Sequence, residues 1–360
     1  MQPIITNRQD LEALSERLVR APALALDTEF LRERTYRAEL CLLQITDGHT
    51  PVCVDPLAVE DLSPLTPALG ASTSLKVMHA CRQDIEVLIP AVGMVRPLFD
   101  TQVAAALAGM PAQIGYGELV RRLLGVELSK AHTRTDWSRR PLTAQQVEYA
   151  LDDVRYLPAL AERLTADIAR LGRTAWLAEE LGTLDDPSVY SVEPERAWLR
   201  VKGLQGLDAA RQRLAQELSA WRERRAMERN RPRGWILDDA ILRELVLTAP
   251  RSEKELAAIG ALPAGLIRHC GAEILERIRA LDLPETLQPV NLRARPDPQR
   301  AALLKKLSAV HRAIAADLAL SPEVLATRRD LEQLAAGQRD VPLLAGWRRG
   351  VIGERLLAAL

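Results

Sequence analysis

Residues 21–30 read Ala21-Pro-Ala-Leu-Ala-Leu-Asp27-Thr28-Glu29-Phe30. The unbroken apolar run before Asp27 predicts a strand buried on both faces, and therefore a central one. Side chains alternate along a strand, so Asp27 and Glu29 lie on the same face. Two carboxylates on one face of a buried strand repel each other unless a cation lies between them. Hard anionic oxygens favour Mg²⁺ or Mn²⁺ over zinc. A strand running out into solvent would carry the same three residues with no partner, so the pair alone does not decide the matter.

Working outward, residues 39–46 (ELCLLQIT) and 50–55 (TPVCVD) read as two more strands. Their short connections predict an antiparallel meander with the first. A strand at 75–80 (LKVMHA) is followed by a helix at 84–93, and 97–109 (PLFDTQVAAALAG) repeats the order of strand end and helix. Thr143-Ala-Gln-Gln146 is a capping box that opens a helix through Val147, Ala150, Leu151 and Val154. Strands alternating with helices predict an α/β domain over residues 1–190, a mixed sheet flanked by helices.

The chain has 360 residues, enough for two or three domains. No apolar run approaches the ~18 residues of a membrane span, so no membrane partner is expected. The beginning of the chain lacks a basic-then-apolar leader, and the four Cys form no CxxC pair. A reducing cytoplasm is the expected compartment. Zero net charge hides a split: residues 1–190 hold 19 basic and 26 acidic side chains, and the rest of the chain has the opposite surplus. Such asymmetry fits a polyanionic partner for the second half, or simply two differently charged solvated surfaces.

Polar, proline-containing stretches at 183–195 and 281–299 read as linkers. Between and beyond them lie two all-α segments, 196–283 and 296–360, which repeat one another. Leu218-Ser-Ala-Trp221 aligns with Leu307-Ser-Ala-Val310, and the same offset of 89 pairs Leu214 with Leu303, Ala226 with Ala315, Leu242 with Leu331 and Leu245 with Leu334. Apolar matches at helical spacing are core positions, so two small helical bundles in tandem are predicted.

Two further acidic motifs stand in the first domain. Asp84 follows His79 by five positions at a strand-to-helix turn, and Tyr149 and Asp153 are stacked i, i+4 on one helix face while Asp152 points elsewhere. Singly, each has an ordinary reading: a first-turn Asp favours the helix dipole, and a Tyr beside a carboxylate is a common surface pair. Together, Asp27, Glu29, Asp84 and Asp153 with Tyr149 fit two-metal phosphodiester hydrolysis, in which anionic oxygens hold hard cations that activate water and neutralise developing charge.

These motifs resemble the DEDDy 3′→5′ exonuclease superfamily. Arg32-x-Arg34-Thr-Tyr36, Phe99-Asp-Thr-Gln102 and Arg134-Thr-Asp-Trp137 followed by Arg140-Pro-Leu-Thr143 resemble, within it, the ribonuclease D family. The resemblance covers essentially the whole chain, with 196–283 and 296–360 as two HRDC-type domains. It implies a ribonuclease H-like first domain and two divalent ions, Mg²⁺ or Mn²⁺. Asp27 would bridge both ions, Glu29 and Asp153 would complete the ion that activates water, Asp84 would serve the second, and Tyr149 would orient the nucleophile. It further implies removal of 3′-terminal nucleotides from RNA as 5′-mononucleotides, with tRNA precursors carrying 3′ extensions as substrate and a monomeric enzyme. A proofreading-type 3′→5′ DNA exonuclease uses the same carboxylates and is the alternative, since the distinction rests on contacts to the 2′-OH.

For the rest of the RNA surface, Thr28, Phe30, His79, Arg134, Arg139, Arg140, Arg222 and Arg225 are the expected contacts. Residues 196–233 carry 11 Arg and Lys against 4 Asp and Glu, a charge suited to backbone phosphates and equally to a solvated helix face. His79 reads as a hydrogen-bonding support rather than a metal ligand, Trp221 as core, and Trp198 and Trp235 are undecided.

Overall fold

The computed structural model describes residues 4–129, 135–204, 207–260, 262–281, 283–284 and 297–360. They divide into two compact units. One holds the described residues of Met1–Leu31, Leu40–Tyr190 and Arg295–Leu360, and the other those of Arg32–Glu39 and Ser191–Ala294.

The first unit is built on six strands: β1 (Ile4–Ile5), β2 (Ala23–Leu31), β3 (Glu39–Thr46), β4 (Val52–Val54), β5 (Leu75–Met78) and β6 (Leu98–Asp100). Their order in the sheet is β1-β4-β3-β2-β5-β6. β3 and β4 pair antiparallel, whereas β1–β4, β2–β5 and β5–β6 pair parallel, so the sheet is mixed. The two-residue edge strand β1 is too short to carry a periodic signal and was not legible in the sequence. Helices α1 (Arg8–Leu18), α2 (Thr66–Gly70), α3 (Arg82–Val92), α4 (Thr101–Leu107), α5 (Tyr116–Leu124), α6 (Ala144–Arg155), α7 (Leu157–Arg170) and α8 (Thr174–Leu184) complete the frame.

Strand β2 is central, and its alternation sets both layers. Leu24 and Leu26 pack with Leu11, Leu14, Ile85 and Leu88 of α1 and α3. Ala25 points the other way, into a core with Val77, Phe99 and with Leu157, Leu160 and Leu164 of α7. Continuing that alternation sends Asp27 and Glu29 to the Ala25 face and Thr28 to the α3 face.

In the second unit, α9 (Ala209–Arg229), α10 (Arg233–Ile236), α11 (Asp239–Thr248), α12 (Glu253–Ala257) and α13 (Ala264–Ala280) enclose their own core around Leu214, Leu218, Trp221, Leu242 and Leu245. The stretch 32–39 belongs to this unit. Asn230 Oδ1 accepts from the Tyr36 and Arg37 amides at 3.1 and 3.2 Å, and the Tyr36 hydroxyl donates to the buried Glu223 carboxylate.

The internal repeat reappears in α14 (Pro298–Asp317), α15 (Pro322–Leu325) and α16 (Arg328–Ala335), followed by α17 (Gly346–Arg348) and α18 (Glu354–Leu357). At the same offset of 89, Asp208 and Asp297 cap α9 and α14, and Asp238 and Thr327 cap α11 and α16. Asn230 and Ala319, also 89 apart, both turn left-handed at φ 45° and 51°. The proline-rich stretch expected as a second linker lies mostly outside the described residues.

The last helices share one core with the sheet: Leu307, Ile314, Leu334 and Trp347 fall in the same cluster as Leu164 and Leu177. Trp347 stacks on Trp176 at 4.5 Å, and its indole N–H donates to Glu180 at 2.7 Å. Gly346 permits this approach, because a β-carbon there would fall 1.5 Å from a Glu179 carboxylate oxygen. Arg173, 7% exposed, donates to the Leu107 carbonyl at 2.6 Å and the Leu318 carbonyl at 2.5 Å. Arg173→Ala strands both carbonyls, and a loss of about 2–4 kcal/mol in urea unfolding is expected; Lys at this position, lacking the planar fork, should restore less than half of it.

Candidate active site

The four acids reach one end of the sheet on three elements. Asp27 and Glu29 stand half-buried near the end of β2. Asp84 is in the first turn of α3 and is 8% exposed. The Thr28 hydroxyl, on the opposite face of β2 from Asp27, donates to Asp84 Oδ1 at 2.5 Å and ties strand to helix. Asp153 is on α6, whose start is fixed by the full capping box: Gln146 N–H donates to Thr143 Oγ1 at 3.2 Å and Thr143 N–H to Gln146 Oε1 at 2.8 Å. Tyr149, one turn earlier, stacks on buried Trp137 with ring centroids 6.2 Å apart. Asp152 turns away and pairs with Arg155.

Electrostatics record the convergence. The Asp27 carboxyl is held well above its usual range, first by burial and then by the fields of Asp84, Asp153 and Glu29. Burial, then Asp153 and Asp84, push Glu29 up to about 8. Burial and Asp152 push Asp153 up to about 7, and burial above all lifts Asp84 to about 6 against the hydrogen bond from Thr28. The Tyr149 phenol is raised too, by burial and by Asp153, Glu29 and Asp27. Acids that resist ionisation together are a donor set suited to hard divalent cations, whose charge removes the repulsion. The fit is one of chemistry: among the described residues no three His, Cys, Asp or Glu side chains form a closed ligand group.

Several expected RNA contacts are corrected by the structure. Arg140 forks onto Asp55 at 2.6 and 2.8 Å and donates to the carbonyls of Cys41, Trp137 and Arg139, so its donors are spent inside the protein. Arg222 is 3% exposed and holds the Leu237 carbonyl and Asp239. Arg225 pairs with Glu273 at 2.8 Å and lies over the Trp221 ring, 5.7 Å from its centroid. Both ring nitrogens of His79 are engaged, with Thr101 Oγ1 at 2.8 Å and the Ile114 carbonyl at 3.0 Å, so neither faces a substrate. Thr28 is buried on Asp84 rather than turned outward. Phe30 is half-buried at the end of β2, and Arg139 is exposed beside Asp136 at 3.0 Å. Arg134 lies outside the described residues. Of the tryptophans left undecided, Trp235 is 60% exposed and Trp198 packs on the second unit's core.

Sequence reasoning passed over Tyr116 and quoted Asp100 and Trp137 without a role. Tyr116 Oη donates to the Asp152 carbonyl at 2.9 Å. Asp100 accepts four backbone N–H groups. The only signal for Asp100 was its place before a helix, which is an N-cap signature.

A mixed sheet with carboxylates gathered at the end of its central strand defines the class: a family model described as 3′-5′ exonuclease matches residues 2–169. Another, described as HRDC domain, matches residues 211–278. Ribonuclease D of Granulibacter bethesdensis is 40% identical over 365 residues, 99% of this chain and 91% of its own length. That of Gluconacetobacter diazotrophicus is 40% identical over 99% of this chain and 92% of its own. The crystal structure of Escherichia coli RNase D, an exoribonuclease involved in structured RNA processing, matches with a TM-score of 0.86 and 32% identity over 99% of this chain and 98% of that one. The chain belongs to the ribonuclease D family and is a 3′-5′ exoribonuclease. No helix among the described residues is long and apolar enough to cross a membrane.

The raised carboxyls have a consequence for stability. Their folded values of about 6 to 8 exceed the usual range near 4, so between these limits the folded chain holds more protons than the unfolded one, and stability falls as pH rises. In chelator, Asp27→Asn should therefore raise Tm at pH 8 and lose that advantage toward pH 5. Mn²⁺ should raise the wild-type Tm at pH 8 and do little at pH 5, as followed by scanning calorimetry.

Proposed function

We propose that this chain is a divalent-metal-dependent exoribonuclease that trims 3′ extensions from tRNA precursors, releasing 5′-mononucleotides. The observation that carries the reading is the gathering of Asp27, Glu29, Asp84 and Asp153 at the end of β2, beside Tyr149, where burial lifts all four and the fields of Asp84 and Asp153 reach Asp27 and Glu29. Asp27, Glu29, Asp84 and Asp153 would hold two ions, Mg²⁺ or Mn²⁺, with Asp27 shared. When bound, such ions lower the pKa of water and neutralise charge on the phosphate and the leaving oxygen.

The chain's own residues do the rest. Tyr149, whose phenol stays protonated well past neutral pH, donates a hydrogen bond that orients the attacking water and does not serve as its base. Stacking on Trp137 fixes the direction of that hydroxyl. Thr28 holds Asp84 in register with β2. Residues 196–283 and 296–360 are proposed as two HRDC-type modules, supported by helix caps that recur at one offset. With Arg140, Arg222 and Arg225 occupied internally, exposed cations such as Arg139 are left to meet phosphates, giving sequence-independent and salt-sensitive affinity.

Purified enzyme, a 3′-extended tRNA and Mg²⁺ or Mn²⁺, with and without chelator, followed by product sizing, tests the substrate and the metal together. Matched RNA and DNA oligonucleotides test the polymer: equal or faster DNA cleavage turns the reading to a DNA exonuclease. Asp27→Asn and Asp153→Asn should each lower kcat by about 10²–10³-fold while RNA binding persists. Tyr149→Phe, losing one oriented hydrogen bond, should cost about 10–100-fold. Undiminished turnover in both Asp variants would dismiss the assigned ligands.

A further inference from the structure

The acids on α3 and α6 approach the site from separate elements, and a chain of mostly part-buried hydrogen bonds, joined by one ring contact, runs between those elements without touching the acids themselves. It starts at the corner between β5 and α3. Ala80 there is left-handed at φ 55°, which strains a residue bearing a β-carbon. The 3% exposed carboxylate of Asp100 holds that corner, accepting from Ala80 N–H at 3.0 Å through Oδ1 and from Cys81 N–H at 2.8 Å through Oδ2. The same Oδ1 accepts from Gln102 and Val103 N–H at the start of α4. One side chain thus locks the starts of both helices, and Asp84 follows three residues after Cys81.

The next link is His79. The Ile114 carbonyl can only accept, so the proton sits on Nε2, and burial keeps the ring neutral. Nδ1 is then an acceptor 2.8 Å from the Thr101 hydroxyl, whose single proton is shared between that nitrogen and the Met78 carbonyl at 3.1 Å. The Ile114 carbonyl also receives Gln102 Nε2 at 3.0 Å, so the loop before α5 is held from two sides. Tyr116, at the start of α5, packs its ring 5.7 Å from that of His79. Its hydroxyl donates to the Asp152 carbonyl in the last turn of α6 at 2.9 Å and accepts from the N–H of Tyr156, the residue that follows that helix, at 3.4 Å.

We propose that Asp100, Thr101, His79 and Tyr116 are positioning residues, a hydrogen-bonded bracket that sets the separation of Asp84 and Asp153. The inference rests on the proposed metal-dependent reading of that site. None of the four touches the reacting atoms. Asp100 and Tyr116 bond the backbone beside an acid, and His79 with Thr101 joins the two ends; groups that orient ligands in this indirect way are worth about 10–100-fold in metal affinity or activity.

The test uses the full chain and Mn²⁺ alone as the probe. Tyr116→Phe keeps the ring and removes the hydroxyl, and Thr101→Val keeps the shape and removes the hydroxyl shared by His79 and the Met78 carbonyl. For both, the Mn²⁺ concentration giving half the maximal Tm shift should rise about tenfold, with the same rise in the Mn²⁺ midpoint of RNA hydrolysis. KM for RNA at saturating Mn²⁺ should stay at the wild-type value, and Thr101→Ser, which restores the hydroxyl, should return the midpoint. Unchanged Mn²⁺ midpoints in folded variants, or a higher KM for RNA in their place, would overturn the bracket. Should Thr101→Val not fold, Tyr116→Phe decides alone. If wild-type protein itself shows no Mn²⁺-dependent Tm shift, the metal reading of the site fails, an outcome distinct from wild-type binding that the variants share.

Discussion

Four carboxylates are confined at one end of a sheet with little water to share their charge. Isolated, each would ionise near pH 4; here burial above all, with nearby acids added, holds Asp84, Asp153 and Glu29 at about 6 to 8. Asp27 is raised by its burial and, beyond that, by the fields of the other three. A fold can keep such an arrangement only if the elements bearing the acids cannot drift apart. Strand β2, packed on both faces, supplies the fixed reference, and the capped start of α6 and the Thr28 link to α3 set the other acids against it. On the proposed reading that repulsion is also an asset, since a group of acids that resists ionisation gains most from divalent cations.

The arginines teach a complementary lesson. Counted along the chain, they form a basic half suited to a polyanion. In the structure many are internal fasteners: Arg140 on Asp55, Arg222 on Asp239 and the Leu237 carbonyl, Arg173 between the Leu107 and Leu318 carbonyls, Arg348 on Glu180. A planar fork of five donors suits carbonyls and carboxylates as well as phosphates, so composition cannot separate these uses.

The duplicated helices show how far local chemistry carries. Caps and left-handed turns recur at one spacing because each depends on a few neighbouring residues. What each copy is packed in differs. The first closes around Trp221 and its neighbours, whereas the second joins the core of the sheet through Trp347 and Trp176. A tryptophan facing a complementary ring changes the outcome without altering the repeat.

Periodicity and spacing were enough to read from the sequence the strand carrying Asp27 and Glu29, the capped helix carrying Tyr149 and Asp153, the outward turn of Asp152 and the tandem helical segments. These follow from alternation on a strand, 100° steps on a helix and short-range caps, all of which involve residues close along the chain. Only the tertiary structure decided which arginines are occupied, that both nitrogens of His79 are bonded, that Asp100 locks two helix starts and that the last helices share the sheet's core. Each of these depends on a partner far away in sequence, such as Asp55 for Arg140 or Leu318 for Arg173, and on whether water is excluded between them. A one-dimensional pattern carries neither the distance nor the burial.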